Sequence, residues 1–284
     1  MSSFYALRQV RKCIGIKRIG HCGTLDPLAT GMLPVMIGQG TKYASLLNSQ
    51  DKSYTVTANF GCISDTYDIE GQIIHSEIKK SISHDDIEKA LGLFTGEILQ
   101  QPPSFSAIRV DGKRAYELAR QGELIELPKR KVTVHHIEVI DIPHPNSVQL
   151  RVICSKGTYI RSLVHDLGQH LGVGALVSQL HREWVAPFNE GKMIELDQLS
   201  VNDVEPLTSL FKQKIILNET TLTAIHHGQS IPSTQSFSKE PIALLDENHE
   251  FHGSGFFEDQ RIYPKKLISQ PIKQDKVATG SKNV

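Results

Sequence analysis

The sequence predicts a mixed fold of helices and strands, followed by a small β-rich domain. Three observations carry that reading. Apolar residues recur at helical spacing over 3–14, 83–94 and 158–171. Between these segments, SYTVTANFG and residues 132–142 and 147–154 have the character of strands. From about residue 214 to 270 the chain breaks into short apolar runs, KIILN, IALLD and HGSGFF, separated by turns.

In residues 3–14, Ser2 or Ser3 can cap a helix, Phe4, Leu7, Val10 and Ile14 form its apolar stripe, and Gly15 can end it. A loop rich in glycine and proline follows, from His21 to Lys42. SYTVTANFG then places Tyr54, Val56, Ala58 and Phe60 on one face and Thr55, Thr57 and Asn59 on the other, the pattern of a half-buried strand. Ser83 and Asp86 make a capping-box pair at the head of the next helix. Pro102 and Pro103 interrupt the chain, and RAYELARQG is a short helix stopped by Gly122. The strands at 132–142 and 147–154 join through Pro143, Pro145 and Asn146. Thr158 can cap the following helix, whose stripe is Ile160, Leu163, Val164, Leu167 and Leu171. Arg161 falls beside that stripe in a first turn where the helix dipole favours anions, so an acidic partner is expected for it.

Composition narrows the function classes. A hydrophobic content of 39% and a charged content of 22% allow a sizeable core. No apolar run reaches the ~18 residues of a membrane span, and the first residues lack the apolar segment of a signal peptide. Cys13, Cys22, Cys62 and Cys154 show no CxxC spacing and read as reduced thiols of a cytoplasmic protein. His21–Cys22, His135–His136 and His226–His227 are adjacent pairs without a second pair at zinc-ligand spacing, so no metal site is expected. The formal net charge is zero, yet Arg8, Arg11, Lys12, Lys17 and Arg18 share an acid-free stretch, and Lys129, Arg130 and Lys131 are consecutive. Such clusters fit phosphate contacts or ordinary solvated faces. Phosphate-cradling GxxxxGK[ST], GxGxxG, GxSxG and HExxH patterns are all missing, so nucleotide-hydrolysis and redox-cofactor chemistry lack their usual marks.

One carboxylate stands out. In HCGTLDPLATG, Asp26 sits among small and apolar residues, before a proline that pushes it toward extended geometry. Gly23 and Gly31 permit tight turns on either side. Arg161 is a candidate counter-ion; a rigid, paired carboxylate suits a nucleophile or an electrostatic stabiliser. A turn-capping aspartate is the competing reading.

Longer blocks carry a resemblance. GHCGTLDPLATGMLPVMIGQGTK resembles the catalytic motif of the TruB family of tRNA pseudouridine synthases. DKSYTVTANFG resembles that family's tyrosine strand, PPSFSAIRVDGKRAYELARQGE its PPxxSAxKxxGxRxYExAR block, SKGTYIRSLVHDLG its arginine motif, and QLHREWVAPF its leucine segment. These cover residues 1 to about 200 in order, and HHGQSIP with GSGFFEDQRIYPKKLI resembles the PUA-type RNA-binding domain that follows. The resemblance implies an α/β (α+β) pseudouridine synthase fold: a large, mostly antiparallel mixed sheet flanked by helices over 1–213, a small β-rich PUA-like domain over 214–271, and a disordered tail over 272–284. It implies an isomerase that converts uridine 55 in the T-loop of tRNA to pseudouridine by flipping the base, with no cofactor and no metal. By matching position, Asp26 is the nucleophile at the ribose C1′, through a glycal-type intermediate, or alternatively attacks the base. Arg161 is its ion-pair partner, and Tyr54 stacks on the flipped base and relays a proton. Leu180 packs on the uracil and His21 touches the RNA, with Tyr159 and Lys42 in matching substrate-binding blocks. The expected partner is the T-arm of tRNA, bound by a cytoplasmic monomer that needs no membrane and no obligatory protein partner.

The chain departs from the family pattern at several points. Cys22 stands where threonine is usual, Ile108–Arg109 replaces Leu-Lys, and His181 replaces an arginine. The family's preceding strand, with its KPxG motif, is not in this sequence, which is expected to leave a sheet edge open. A non-catalytic RNA-binding or RNA-folding protein on the same scaffold is the alternative; a guide-dependent synthase would carry longer basic flanks. Retention of Asp26, Tyr54 and Arg161 together favours the enzyme.

Overall fold

The computed structural model describes residues 1–75, 82–123 and 125–272. The predicted tail lies outside these, apart from Ile272. The chain divides into two compact units: Met1–Ser3, Gly23–Pro34 and Asn48–Met193 in the first, and Phe4–Cys22, Val35–Leu47 and the chain from Ile194 in the second.

The first unit is built on a six-stranded sheet of β1 (Thr30–Gly31), β2 (Lys52–Phe60), β3 (Gly96–Gln100), β4 (Arg130–His144), β5 (Ser147–Cys154) and β6 (Ala175–Val185). Their order is β1-β6-β2-β5-β4-β3. The β1–β6 pair is parallel and the rest are antiparallel, the mostly antiparallel mixed sheet that was expected. Val56, Ala58, Val148, Leu150, Val152 and Val177 are fully buried at its centre. Helices α1 (His84–Leu93) and α2 (Ile160–His170) cover this core with Ile87, Ala90, Leu91, Ile160, Leu163, Val164 and Leu167. The Ser83–Asp86 capping box forms as predicted. Gly168 lets α2 meet the start of β6, because a Cβ there would collide with the backbone of Ala175.

Two expectations for this unit need correction. Strand β2 is buried on both faces, not half-buried: Ser53 and Thr57 lie inside with Tyr54 and Val56. Its polar face is covered because Ser53 and Thr55 donate hydroxyl hydrogen bonds to Glu183, which satisfies groups that would otherwise require water. Thr158 does not cap α2. Tyr159 is the cap residue, and its backbone N–H and carbonyl are bonded by the Gln100 side chain instead.

The second unit holds a five-stranded sheet of β7 (Gln213–Leu217), β8 (Ile231–Pro232), β9 (Ile242–Asp246), β10 (Phe251–Glu258) and β11 (Arg261–Ile272), in the order β7-β9-β10-β11-β8. Leu217, Ile225, Ile231, Ile242, Leu244 and Ile262 form its core. A helix at Glu219–His226, capped by Asn218, interrupts a region read as strands and turns. The N-terminal helix spans Ser3–Ile14 as predicted, but Phe4 is 67% exposed. Val10 is the buried anchor of that stripe, Leu7 and Ile14 are half-buried beside it, and Phe4 lies a turn beyond the contact.

Candidate active site

The Asp26 loop is fixed at several points within the first unit. Ser3, expected as a cap, brackets Leu25: its hydroxyl accepts from the Leu25 N–H at 3.0 Å and donates to the Leu25 carbonyl at 3.3 Å. The Asp26 carbonyl accepts from Ala29 N–H at 2.9 Å, closing a turn that Pro27 pre-sets. Leu25 and Leu28 pack against the core, and Met32 N–H donates to the Arg182 carbonyl at 2.8 Å. The turn reading of Asp26 therefore holds for its main chain, which leaves the carboxylate free of that task.

That carboxylate meets Arg161, in the first turn of α2. Arg161 Nε is 2.8 Å from Asp26 Oδ2 and Nη2 is 3.0 Å from Oδ1, a two-point fork. The remaining N–H groups donate to the carbonyls of Thr66 at 2.8 Å and Phe105 at 2.9 Å. The Phe105 bond gives the PPSFSA segment a structural task. Arg161 is buried, whereas the Asp26 side chain is 33% exposed.

Sequence reasoning missed a second acid. Asp68 is buried and its Oδ2 lies 3.4 Å from Arg161 Nη1. Its other oxygen accepts from the Thr66 hydroxyl at 2.6 Å and Glu70 N–H at 3.0 Å. Asp65, Asp68 and Glu70 sit close together in SDTYDIEG, and no spacing rule singles out the middle one. Tyr67, beside it, adopts φ +63° and stacks on His165 at 3.9 Å.

Tyr54 is buried on β2 directly opposite Arg182 on β6, and Leu180 is opposite Val56. Facing pairs share a side of the sheet, so Tyr54, Leu180 and Arg182 lie on one face. Burial pushes the Tyr54 hydroxyl up to about 12, with Arg182 opposing the rise, so it keeps its proton at neutral pH. The Tyr159 ring lies under the Arg130 guanidinium, 5.1 Å from its centre.

Asp26, Tyr54, Arg161, Leu180 and Tyr159 thus all belong to the first unit. His21 and Lys42 belong to the second. His21 ends a short strand, paired with Val35. The Lys42 ammonium donates to Gln39 Oε1 at 3.1 Å and to the Leu267 carbonyl at 3.3 Å. Of the adjacent histidines, His135 pairs with Asp51, His136 with Glu138, and His226 with His252. Among the described residues, the grouping with cation-ligand spacing is Asp246, Glu250 and His252, on a hairpin of the second unit. No helix among the described residues is long and apolar enough to cross a membrane.

Comparison with known proteins gives the same result along the length of the chain. Residues 11–160 match the family described as TruB family pseudouridylate synthase (N terminal domain). Residues 161–210 match the tRNA pseudouridylate synthase B C-terminal domain, and 214–268 match Pseudouridine synthase II TruB, C-terminal. The chain is 38% identical to the tRNA pseudouridine synthase B of Caldanaerobacter subterraneus subsp. tengcongensis, over 94% of this chain and 95% of that one. It is 39% identical to the protein of the same name from Idiomarina loihiensis, over 95% and 91%. Among solved structures, a Cbf5-Nop10-Gar1 complex superposes with a TM-score of 0.69 at 23% identity, covering 94% of this chain and 81% of that chain. An H/ACA RNP bound to a substrate RNA containing 2'-deoxyuridine gives a TM-score of 0.68 at 22% identity, with the same coverage. At that identity the likeness concerns the fold.

Proposed function

The chain belongs to the TruB family of pseudouridylate synthases, and from that premise we propose that it is a tRNA pseudouridine synthase acting on uridine 55 of the T-loop. The observation that carries the reading is the two-point pairing of Arg161 with Asp26 on a loop tied at both ends. The reaction is an isomerisation. The N1–C1′ bond breaks, the uracil turns, a C5–C1′ bond forms, and the C5 proton is exchanged for one on N1. Substrate and product hold the same atoms, so the balance requires no oxidant and no co-reactant.

We assign Asp26 to the glycosidic carbon. As C1′ loses its nitrogen it becomes electron-poor, and a carboxylate beside it either bonds to it or stabilises it. Arg161 orients both oxygens, and the exposed part of the Asp26 side chain leaves a substrate an approach to it. The flipped uracil lies against Tyr54 and Leu180, an aromatic and an apolar surface that suit an unstacked base. Tyr54 keeps its proton at neutral pH and so enters the cycle as a donor. We assign Tyr159, His21 and Lys42 to RNA contacts, and residues 214–271 to a PUA-like RNA-binding domain. The protein works as a cytoplasmic monomer on the T-arm of tRNA.

The test is incubation with unmodified tRNA transcript, followed by carbodiimide-blocked primer extension. A stop next to position 55 is expected for the wild type and none for Asp26→Asn. Equal modification by the variant removes Asp26 from the chemistry, and tRNA binding without modification by the wild type favours a non-catalytic scaffold.

A further inference from the structure

Arg182 is buried to 2% exposure, yet none of the ion pairs among the described residues includes it. Buried guanidinium groups are usually matched by a carboxylate, because desolvating an unmatched cation is costly. Arg182 is matched by neutral oxygens instead. Nε donates to the Met32 carbonyl at 2.7 Å and Nη2 to the Gly23 carbonyl at 3.0 Å, and the residue stands directly opposite Tyr54 across the β2–β6 pair. Gly23 and Met32 bracket the loop that carries Asp26. Its main chain adds to the hold: Met32 N–H donates to the Arg182 carbonyl, and Gly31 packs so closely on that carbonyl that a Cβ would collide with it.

We propose that Arg182 is a positioning residue for the isomerisation: one guanidinium fixes the distance between the Asp26 loop and the Tyr54 hydroxyl. The inference rests on the pseudouridine synthase reading and extends it. Planarity matters here. The fork donates to a carbonyl at each end of the loop at set angles from a strand position facing Tyr54, which a point-like ammonium does not do. A buried cation that served only packing would be replaceable by an apolar side chain of similar volume, often without loss of stability. The geometry gives this one a reason to be charged and forked: both ends of the loop and the tyrosine converge on it.

The test compares Arg182→Met, Arg182→Lys, Tyr54→Phe and the Arg182→Lys/Tyr54→Phe double variant with the wild type. The readouts are folded fraction by near-UV circular dichroism, tRNA affinity by filter binding, and single-turnover rate by release of tritium from C5-labelled uridine. An error of about 1 Å in placement costs roughly 100-fold in rate. The expected result for Arg182→Met is a rate loss of that order with tRNA affinity within about threefold of wild type. Should Arg182→Met not fold, Arg182→Lys decides, with an expected loss of about tenfold or more in a folded protein. The double variant should lose less than the product of the two single losses, because both act on one distance. Wild-type rates in a folded Arg182→Lys overturn the inference, as does a loss confined to affinity or fully multiplicative effects in the double variant. A wild-type protein that releases no tritium overturns the synthase reading and this inference with it.

Discussion

Replacing Arg161 by lysine keeps one positive charge at the centre of the site and removes only its shape. Arg161 makes four hydrogen bonds from three nitrogens, to both Asp26 oxygens and to the carbonyls of Thr66 and Phe105. A lysine ammonium has three N–H groups on one atom, so at least one of those acceptors is left without its donor. Because Arg161 is buried, water does not replace the lost contact cheaply. A charge-assisted hydrogen bond is worth about 1.5–3 kcal/mol, so the minimum loss of stability lies in that range. At about 2–4 °C per kcal/mol for a chain of this size, the midpoint falls by about 3–12 °C. The effect on rate is larger than this implies. Asp26 loses its second anchor and can swing toward solvent, and misplacement of about 1 Å costs roughly 100-fold. Thermal denaturation together with single-turnover pseudouridine formation separates the two effects. A lysine variant with wild-type melting and wild-type rate would show that charge alone suffices and that the fork is incidental.

Three further outcomes follow from the geometry. Gly31→Ala forces a side chain at φ +95° into the Arg182 carbonyl; a loss of about 1–3 kcal/mol in denaturant melts is expected, and an unchanged midpoint would refute the close approach. His226 is held below its ordinary value, first by burial and then by His252 and His227. The unfolded chain therefore binds protons more readily, and stability should fall as pH drops through about 6.5; His226→Gln should flatten that slope, and a slope left intact assigns it to another group. Burial holds the hydroxyls of Tyr54 and Tyr43 up to about 12. Their contribution is complete below about pH 10, where the unfolded tyrosine ionises, and is lost between about 10 and 12. Tyr54→Phe should remove part of this alkaline loss, and equal pH dependence in the variant would mean that Tyr54 titrates normally.

Sequence patterns went furthest where period and burial coincide. The stripe of α2, the alternation of β5 and the Ser83–Asp86 box each depend on neighbours along the chain, and all three form. Arg161 was legible for a related reason: a cation in a first turn conflicts with the helix dipole and so asks for an acid. Which acid was legible only in part. Asp26 was marked by its apolar surroundings, but Asp68 was hidden among acids of equal standing, since its burial is set by the contact of its loop with β6. Arg182 was hidden for another reason. It sits in QLHREWVAPF beside His181, and the sequence gives no hint that one side chain turns to Thr30 while the other, opposite Tyr54, turns inward to the carbonyls of Gly23 and Met32. The Glu219–His226 helix was missed because its short apolar run fits a strand as well as a helix.

The charges of the site balance as a group rather than pair by pair. Asp26 and Asp68 flank Arg161, and Arg182 has no acidic partner among the described residues, so two acids are shared unevenly between two arginines. Arg161, Asp68 and Arg182 are all buried, and Asp26 alone has a face open to solvent. Three ionisable side chains taken out of water are costly unless their hydrogen-bonding directions are used. Here each direction is used: Asp68 and two carbonyls hold Arg161, Arg161 holds the carboxylate of Asp26, and Arg182 holds the backbone on either side of it. The consequence is a division of labour that a single aspartate in a turn does not possess. Asp26 can be exposed enough to meet a substrate and still have little freedom to move, because its orientation is stored in groups that no solvent reaches.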